Sequence, residues 1–218
     1  MCPDDPKEKS EAEQEKPVRC TTYLAGGIEN CSEAEALNFR DELREKLAHE
    51  DLLIYDPILQ EAVKVGKKSF DMVERIRNLK RAGHKETFYD EMWKIWFGSI
   101  NQNTDLIHLL INLRMRKHID GNFRSHIALW GDAEAVVRSD FIIVHLPNTV
   151  RSVGTIYEVV FAYLFRIPIY LIVPDAPATD VNSSLLFGTQ ISNGRGIFKI
   201  YRTISECVKA VKEDYKLS

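Results

Sequence analysis

Two short apolar runs frame the stretch that most constrains this fold. Asp140-Phe-Ile-Ile-Val-His-Leu-Pro147 precedes Val150-Arg-Ser-Val-Gly-Thr-Ile-Tyr-Glu158, and Ile167-Pro-Ile-Tyr-Leu-Ile-Val173 follows. Each run has the length of a buried strand, and a Gly-Thr turn between them opens a helical pattern expected over 155–166. Strand, turn, helix and strand make a βαβ unit, whose two strands must be parallel. Parallel sheets bind ligands beyond the carboxyl ends of their strands. The pattern therefore puts Glu158, on the first turn of the expected helix, beside the crevice.

The remaining segments extend the same rhythm. Arg19–Leu24 is β-prone and runs into Ala25-Gly26-Gly27, a strand feeding a glycine turn, though without the GxGxxG spacing of a dinucleotide site. Ser32-Glu-Ala-Glu35 fits a capping box and opens a helix to about His49, with Ala36, Leu37, Phe39, Leu43 and Leu47 as its apolar set. Leu52–Asp56, stopped by Pro57, is a second strand. A helix over Ser125–Ser139, a short helix at Ser184–Gly188, a last strand at Gly196–Tyr201 and a helix capped by Thr203 and running to about Tyr215 complete the pattern. Five strands alternating with helices predict an α/β chain, a Rossmann-like or flavodoxin-like three-layer sandwich on a parallel five-stranded sheet.

Two segments depart from that rhythm. Residues 1–17 are charged and nearly free of apolar side chains, which predicts a disordered tail before a single domain over 18–218. Residues 58–124 replace the short connection of a minimal α/β unit with a helical insertion. Its helices are expected over Asp71–Arg81, Thr87–Ile100 and Thr104–Lys117, the second carrying an aromatic-rich stripe through Phe88, Trp93, Trp96 and Phe97. That stripe suits a lid over a site, an oligomer contact or ordinary core.

A net charge of −3 and a pI near 6.1 argue against binding a polynucleotide backbone. Small phosphorylated ligands remain open, because one Arg or a helix N-terminus suffices for them. The four cysteines show neither a CxxC pair nor metal-ligand spacing and read as reduced thiols. No apolar run approaches the ~18 residues of a membrane span, and no signal peptide opens the chain, so a cytoplasmic location is expected.

Periodicity leaves two readings of Glu158. Ile156, Val159, Val160 and Leu164 form an apolar set, with Glu158 roughly opposite and near the helix N-terminus, where the dipole favours an ionised, nucleophilic carboxylate. Alternatively Thr155-Ile-Tyr-Glu158 is itself a capping box, and Glu158 is its third residue.

Taken together, Thr22-Tyr-Leu-Ala-Gly-Gly27, Asp132 with Ser139-Asp-Phe-Ile-Ile-Val144, and Gly154-Thr-Ile-Tyr-Glu158 with the IPIYLIVP strand resemble the nucleoside 2-deoxyribosyltransferase family. That group of N-glycosidic enzymes includes nucleoside 5′-monophosphate N-glycosidases. The likeness covers about residues 19–57 and 126–201 and leaves the insertion outside. It implies that Glu158 attacks the anomeric carbon of the sugar. Asp132, eight residues before Asp140, would orient the base and assist its departure, and Tyr23 would fix the Glu158 carboxylate. Gly26 and Gly27 would let the backbone approach substrate, Gly154 belongs to the nucleophile turn, and Asn182 matches an Asn near the sugar 5′ end. The resemblance implies a nucleoside or nucleotide ligand, no cofactor and no metal. It also implies a homodimer or higher homo-oligomer, since members complete their site from a neighbour's C-terminus. Here the tail offers only Tyr215 for that role.

One departure bears on substrate. The deoxyribosyltransferases hold the free 5′-hydroxyl with an Asp six residues before the nucleophile, where this chain has Ser152 beside Arg151. A carboxylate repels a 5′-phosphate, whereas a hydroxyl with a neighbouring guanidinium accepts one. The expected activity is therefore cleavage or transfer of the N-glycosidic bond of a nucleoside or nucleoside 5′-monophosphate. The competing expectation is a non-catalytic nucleotide sensor using the same crevice.

Overall fold

The computed structural model describes residues 20–28, 31–60, 69–116, 130–147, 152–174 and 200–217. The tail over 1–17, Arg151, Asn182 and the helix expected at 184–188 lie outside them. Five strands form one sheet: β1 (Cys20–Gly26), β2 (Leu52–Tyr55), β3 (Phe141–His145), β4 (Ile169–Ile172) and β5 (Ile200–Tyr201). The order is β2-β1-β3-β4-β5 and every pairing is parallel. This is the flavodoxin-like order, in which the connections leave β1 and β3 in opposite directions and open a crevice between their carboxyl ends.

Seven helices accompany the sheet among the described residues: α1 (Glu33–Lys46), α2 (Ser69–Ala82), α3 (Lys85–Phe97), α4 (Leu106–Arg116), α5 (Asp132–Arg138), α6 (Val153–Leu164) and α7 (Ile204–Tyr215). The sheet divides the core because successive side chains point to opposite faces. Leu24, Phe141, Ile143 and Ile172 face Phe39 and Leu43 of α1 and Cys207 and Val211 of α7. Tyr23, Ala25, Ile142, Val144 and Leu171 face Val136 of α5 and Val159 and Ala162 of α6. The three-layer α/β sandwich therefore forms as its alternation requires.

Both capping boxes are present. Ser32 and Glu35 close the start of α1, and Thr203 and Glu206 that of α7. α6 begins differently from expectation. Its N-cap is Ser152, whose Oγ accepts from the Thr155 amide at 3.2 Å, so Gly154 and Thr155 lie inside the first turn. The Thr155–Glu158 capping box does not form, and Glu158 stands one turn deeper than a cap residue could. The apolar set expected on α6 also divides. Thr155, Glu158, Val159 and Ala162 are buried, while Ile156, Val160 and Leu164 are among the exposed large hydrophobics. Glu158 thus shares the inner face with Val159 instead of opposing it. Spacing identified apolar positions but not which face the sheet covers.

The insertion docks on the α5–α6 side. Leu110 of α4 packs with Ala133 and Val137, and Phe97 of α3 joins Phe161 and Phe165 around them. At Gly131, a Cβ would lie 2.4 Å from the Phe97 nitrogen and 2.5 Å from the Gly98 nitrogen and the Trp96 carbonyl carbon. Only a residue without a side chain lets the end of α3 lie against the start of α5. Tyr215 is held in its own chain, donating to the Asp140 carbonyl at 3.3 Å with its ring 4.4 Å from Phe141. That contact is at the amino end of β3, away from the crevice.

Candidate active site

At the carboxyl end of β1 a cavity of about 150 Å³ lies between the sheet and the insertion. Gly26, Asp132, Ser152, Gly154, Thr155 and Glu158 form its sheet side. Met72, Val73 and Ile76 of α2 with Met92, Ile95 and Trp96 of α3 form the roof. Of the aromatic stripe of α3, Trp96 lines this cavity, while Phe97 packs against the Leu110, Ala133 and Val137 cluster. Trp96 also meets Tyr157 edge to face at 5.9 Å, tying the roof to α6.

The position of Glu158 follows from α6 lying against β1. Tyr23, fully buried on β1, donates its hydroxyl hydrogen to Glu158 Oε1 at 2.6 Å. The other oxygen, Oε2, is buried and has no hydrogen-bond partner among the described residues. A buried carboxylate with one oxygen anchored and the other unsatisfied is costly for folding alone, which marks it for function. Burial raises the Glu158 pKa from 4.5 to about 8, and the Asp132 charge adds to the rise. The Tyr23 hydrogen bond and the Arg40 guanidinium oppose it. Burial and the same two carboxylates raise the Tyr23 pKa well above its usual value, so that hydroxyl remains a donor.

Asp132 is the first residue of α5, with Gly131 as its N-cap, and is 6% exposed. Tyr55 holds the chain two residues earlier by donating to the Trp130 carbonyl at 2.9 Å, and the Tyr55 ring stacks on Tyr23 at 5.4 Å. One pair of stacked tyrosines therefore supports both carboxylates. Ser152 Oγ accepts from both the amide and the hydroxyl of Thr155, the latter at 2.8 Å. With both bonds accepted, the Ser152 hydroxyl has no acceptor among the described residues and can donate to an oxygen-bearing ligand.

Gly26 lines this cavity, and on the α1 side a Cβ there would lie 2.4 Å from Phe39 Cζ. Gly27 instead borders a second crevice on the α1 side, with Cys31, Phe39 and His145. Of the expected residues, Glu158, Asp132, Gly26, Ser152 and Gly154 meet at one cavity, with Tyr23 behind Glu158.

Arg40 and Asp56 were not foreseen. Arg40, wholly buried, donates to the Ala36 carbonyl at 2.6 Å and to the Gly26 carbonyl at 3.2 Å, and its Nε lies 3.4 Å from Asp56 Oδ1. A cation therefore sits beneath the glycine turn, close enough to favour ionised Glu158. The sequence carried a signal for it. Arg40 occupies the stripe of Ala36, Leu43 and Leu47, where the helical period demands burial.

Among the described residues no three His, Cys, Asp or Glu side chains are grouped to hold a metal ion, and Cys20, Cys31 and Cys207 form no disulfide. No helix among them is long and apolar enough to cross a membrane. Compared with models of known protein families and with curated proteins, the chain gives no match.

Proposed function

We propose that the chain breaks the N-glycosidic bond of a nucleoside or nucleoside 5′-monophosphate, with Glu158 as nucleophile. The observation that carries the reading is the buried Tyr23–Glu158 pair, with Oε1 held by the phenol and Oε2 left unsatisfied at a cavity shared with Asp132. Glu158 attacks the anomeric carbon as the bond to the base breaks, giving a glycosyl-enzyme and retaining the stereochemical logic of two-carboxylate glycosidases. Asp132 gives its proton to the departing base. Water, or a second base that arrives by the reverse of the same step, then releases the sugar from Glu158.

One proton is shared between the two carboxylates in this reading. Burial holds the proton on Glu158 up to about pH 8, and the Tyr23 phenol and Arg40 oppose that rise, favouring the ionised form that attacks. The free Ser152 proton at the start of α6 supports a 5′-phosphate in place of a bare hydroxyl. The homo-oligomer suggested by resemblance has a surface available on α6, where Val153, Ile156, Tyr157, Val160 and Leu164 are 42–70% exposed.

The test is incubation of the purified protein with ribo- and deoxyribonucleosides and their monophosphates, followed by chromatography for free base. Release by wild type that Glu158→Ala abolishes supports the reading. Nucleotide-induced stabilisation without release favours a sensor instead.

A further inference from the structure

The cavity is divided by chemistry as well as by position. Among the described residues every ionisable or hydroxyl-bearing side chain on it, Asp132, Ser152, Thr155 and Glu158, comes from the sheet side. The roof residues from α2 and α3 are two methionines, three aliphatic side chains and a tryptophan. A sugar needs the first wall, because its hydroxyls and the reacting carbon must meet oxygen groups. The group bonded to that sugar then faces the second wall.

We propose that α2 and α3 form the leaving-base subsite, selecting a flat heteroaromatic base whose outward edge is apolar, such as one carrying a methyl group or halogen. This rests on the N-glycosidic reading above and names the substrate class for the same site. The roof provides thioether and aliphatic contact for a ring face and edge, which methionine's flexible, polarizable chain suits. Among the described residues its one polar side-chain group is the Trp96 indole N–H, a donor only. A base with an amino group on that edge finds no side-chain acceptor there, and an oxo group finds at most that single donor, so either loses hydrogen bonds to water.

Three structural ties make the roof part of the site. α3 ends in backbone contact with Gly131, directly before Asp132, at a spacing that a Cβ would close to 2.4 Å. Trp96 meets both Tyr157 and Phe161 of α6, at 5.9 and 6.3 Å, on the helix that carries Glu158. Arg75 of α2 pairs with Glu91 of α3 at 3.1 Å, holding the two roof helices to each other. The roof, the acid and the nucleophile are therefore connected through direct contacts.

The experiment compares matched pairs that differ at the base edge: 6-methylpurine against hypoxanthine, and thymine against uracil. Each is presented as ribo- and deoxyribonucleoside, with and without a 5′-phosphate. The methylated member of each pair should show kcat/KM roughly fourfold higher or more, the gain from burying one methyl group. In the Met92→Gln, Ile95→Gln variant that ratio should collapse toward one, with circular dichroism confirming the fold. Should the double variant not fold, Met92→Gln alone, at a half-buried position, replaces it. Equal rates within both pairs, or a ratio that the variant leaves unchanged, overturns the proposal. If no nucleoside is cleaved, the glycosidic reading fails, and calorimetry with the free bases decides the subsite. Tighter binding of the methylated bases with a negative heat-capacity change supports it, and no discrimination overturns it.

Discussion

The Tyr23 hydroxyl donates to Glu158 Oε1 at 2.6 Å across the interface between β1 and α6, with both residues buried. This bond orients the carboxylate and stabilises its ionised form. In Tyr23→Phe the ring still stacks on Tyr55, but the donor is gone. A hydrogen bond to a charged group contributes ~1.5–3 kcal/mol. Base release by this variant should fall by about ten- to a hundredfold, as measured by kcat in single-turnover assays.

The pH profile separates the two carboxylates. In the proposed reaction the pair must hold one charge and one proton. Burial, and after it the charge of Asp132, raises Glu158 to about 8, so the pair loses its last proton near that pH. Wild-type kcat/KM should therefore fall above about pH 8. Asp132→Asn removes both a charge and the acid. Its Glu158 should ionise at lower pH, and its residual activity should rise to a plateau without the alkaline decline.

Stability provides a test independent of turnover. The folded pKa of Glu158 lies above the unfolded value, so the native state holds that proton more tightly. Its contribution to stability is fully present below about pH 4.5 and is lost as pH rises through about 8. Glutamine does not titrate and keeps a similar shape. Glu158→Gln should therefore gain in Tm relative to wild type between pH 5 and 9, with most of the gain present at the alkaline end. Thermal melts across that range measure it.

Gly131→Ala tests the docking of the insertion. The new methyl group would meet backbone atoms of Trp96, Phe97 and Gly98 at 2.4–2.5 Å, so α3 must move. Overpacking of this kind costs ~1–3 kcal/mol. The variant should melt several degrees lower and lose activity beyond what its unfolded fraction explains, because the roof over Asp132 shifts. Melting curves and kcat/KM below the transition check both.

The fold was legible because the strands read as apolar or β-prone runs and the Ser32–Glu35 and Thr203–Glu206 boxes marked two helix starts, whereas the Thr155–Glu158 pair misled. Glu158, Asp132, Gly26 and Ser152 were legible as residues, and the structure brings them to one cavity. What periodicity could not show was which side of α6 would be covered. Ile156 and Val160 look like core positions, yet the sheet takes Val159 and Ala162. Arg40 escaped notice because an Arg on a helix usually ends in water. Here two carbonyls accept from it and Asp56 pairs with its charge at no solvent exposure. The roof was hidden for another reason: contacts between Trp96, Gly131 and Tyr157 join segments distant in sequence.

The central claim is that Glu158 becomes covalently attached to the sugar. Intact-protein and peptide mass spectrometry after incubation with 2-fluoro-substituted nucleosides and nucleotides tests this directly, since the fluorine slows hydrolysis of a glycosyl-enzyme. The account predicts an increase in mass equal to the fluorinated sugar unit, mapped to Glu158, and no adduct in Glu158→Ala. Release of base from the natural substrate by an enzyme that Glu158→Ala leaves active, or an adduct on another residue, would contradict it.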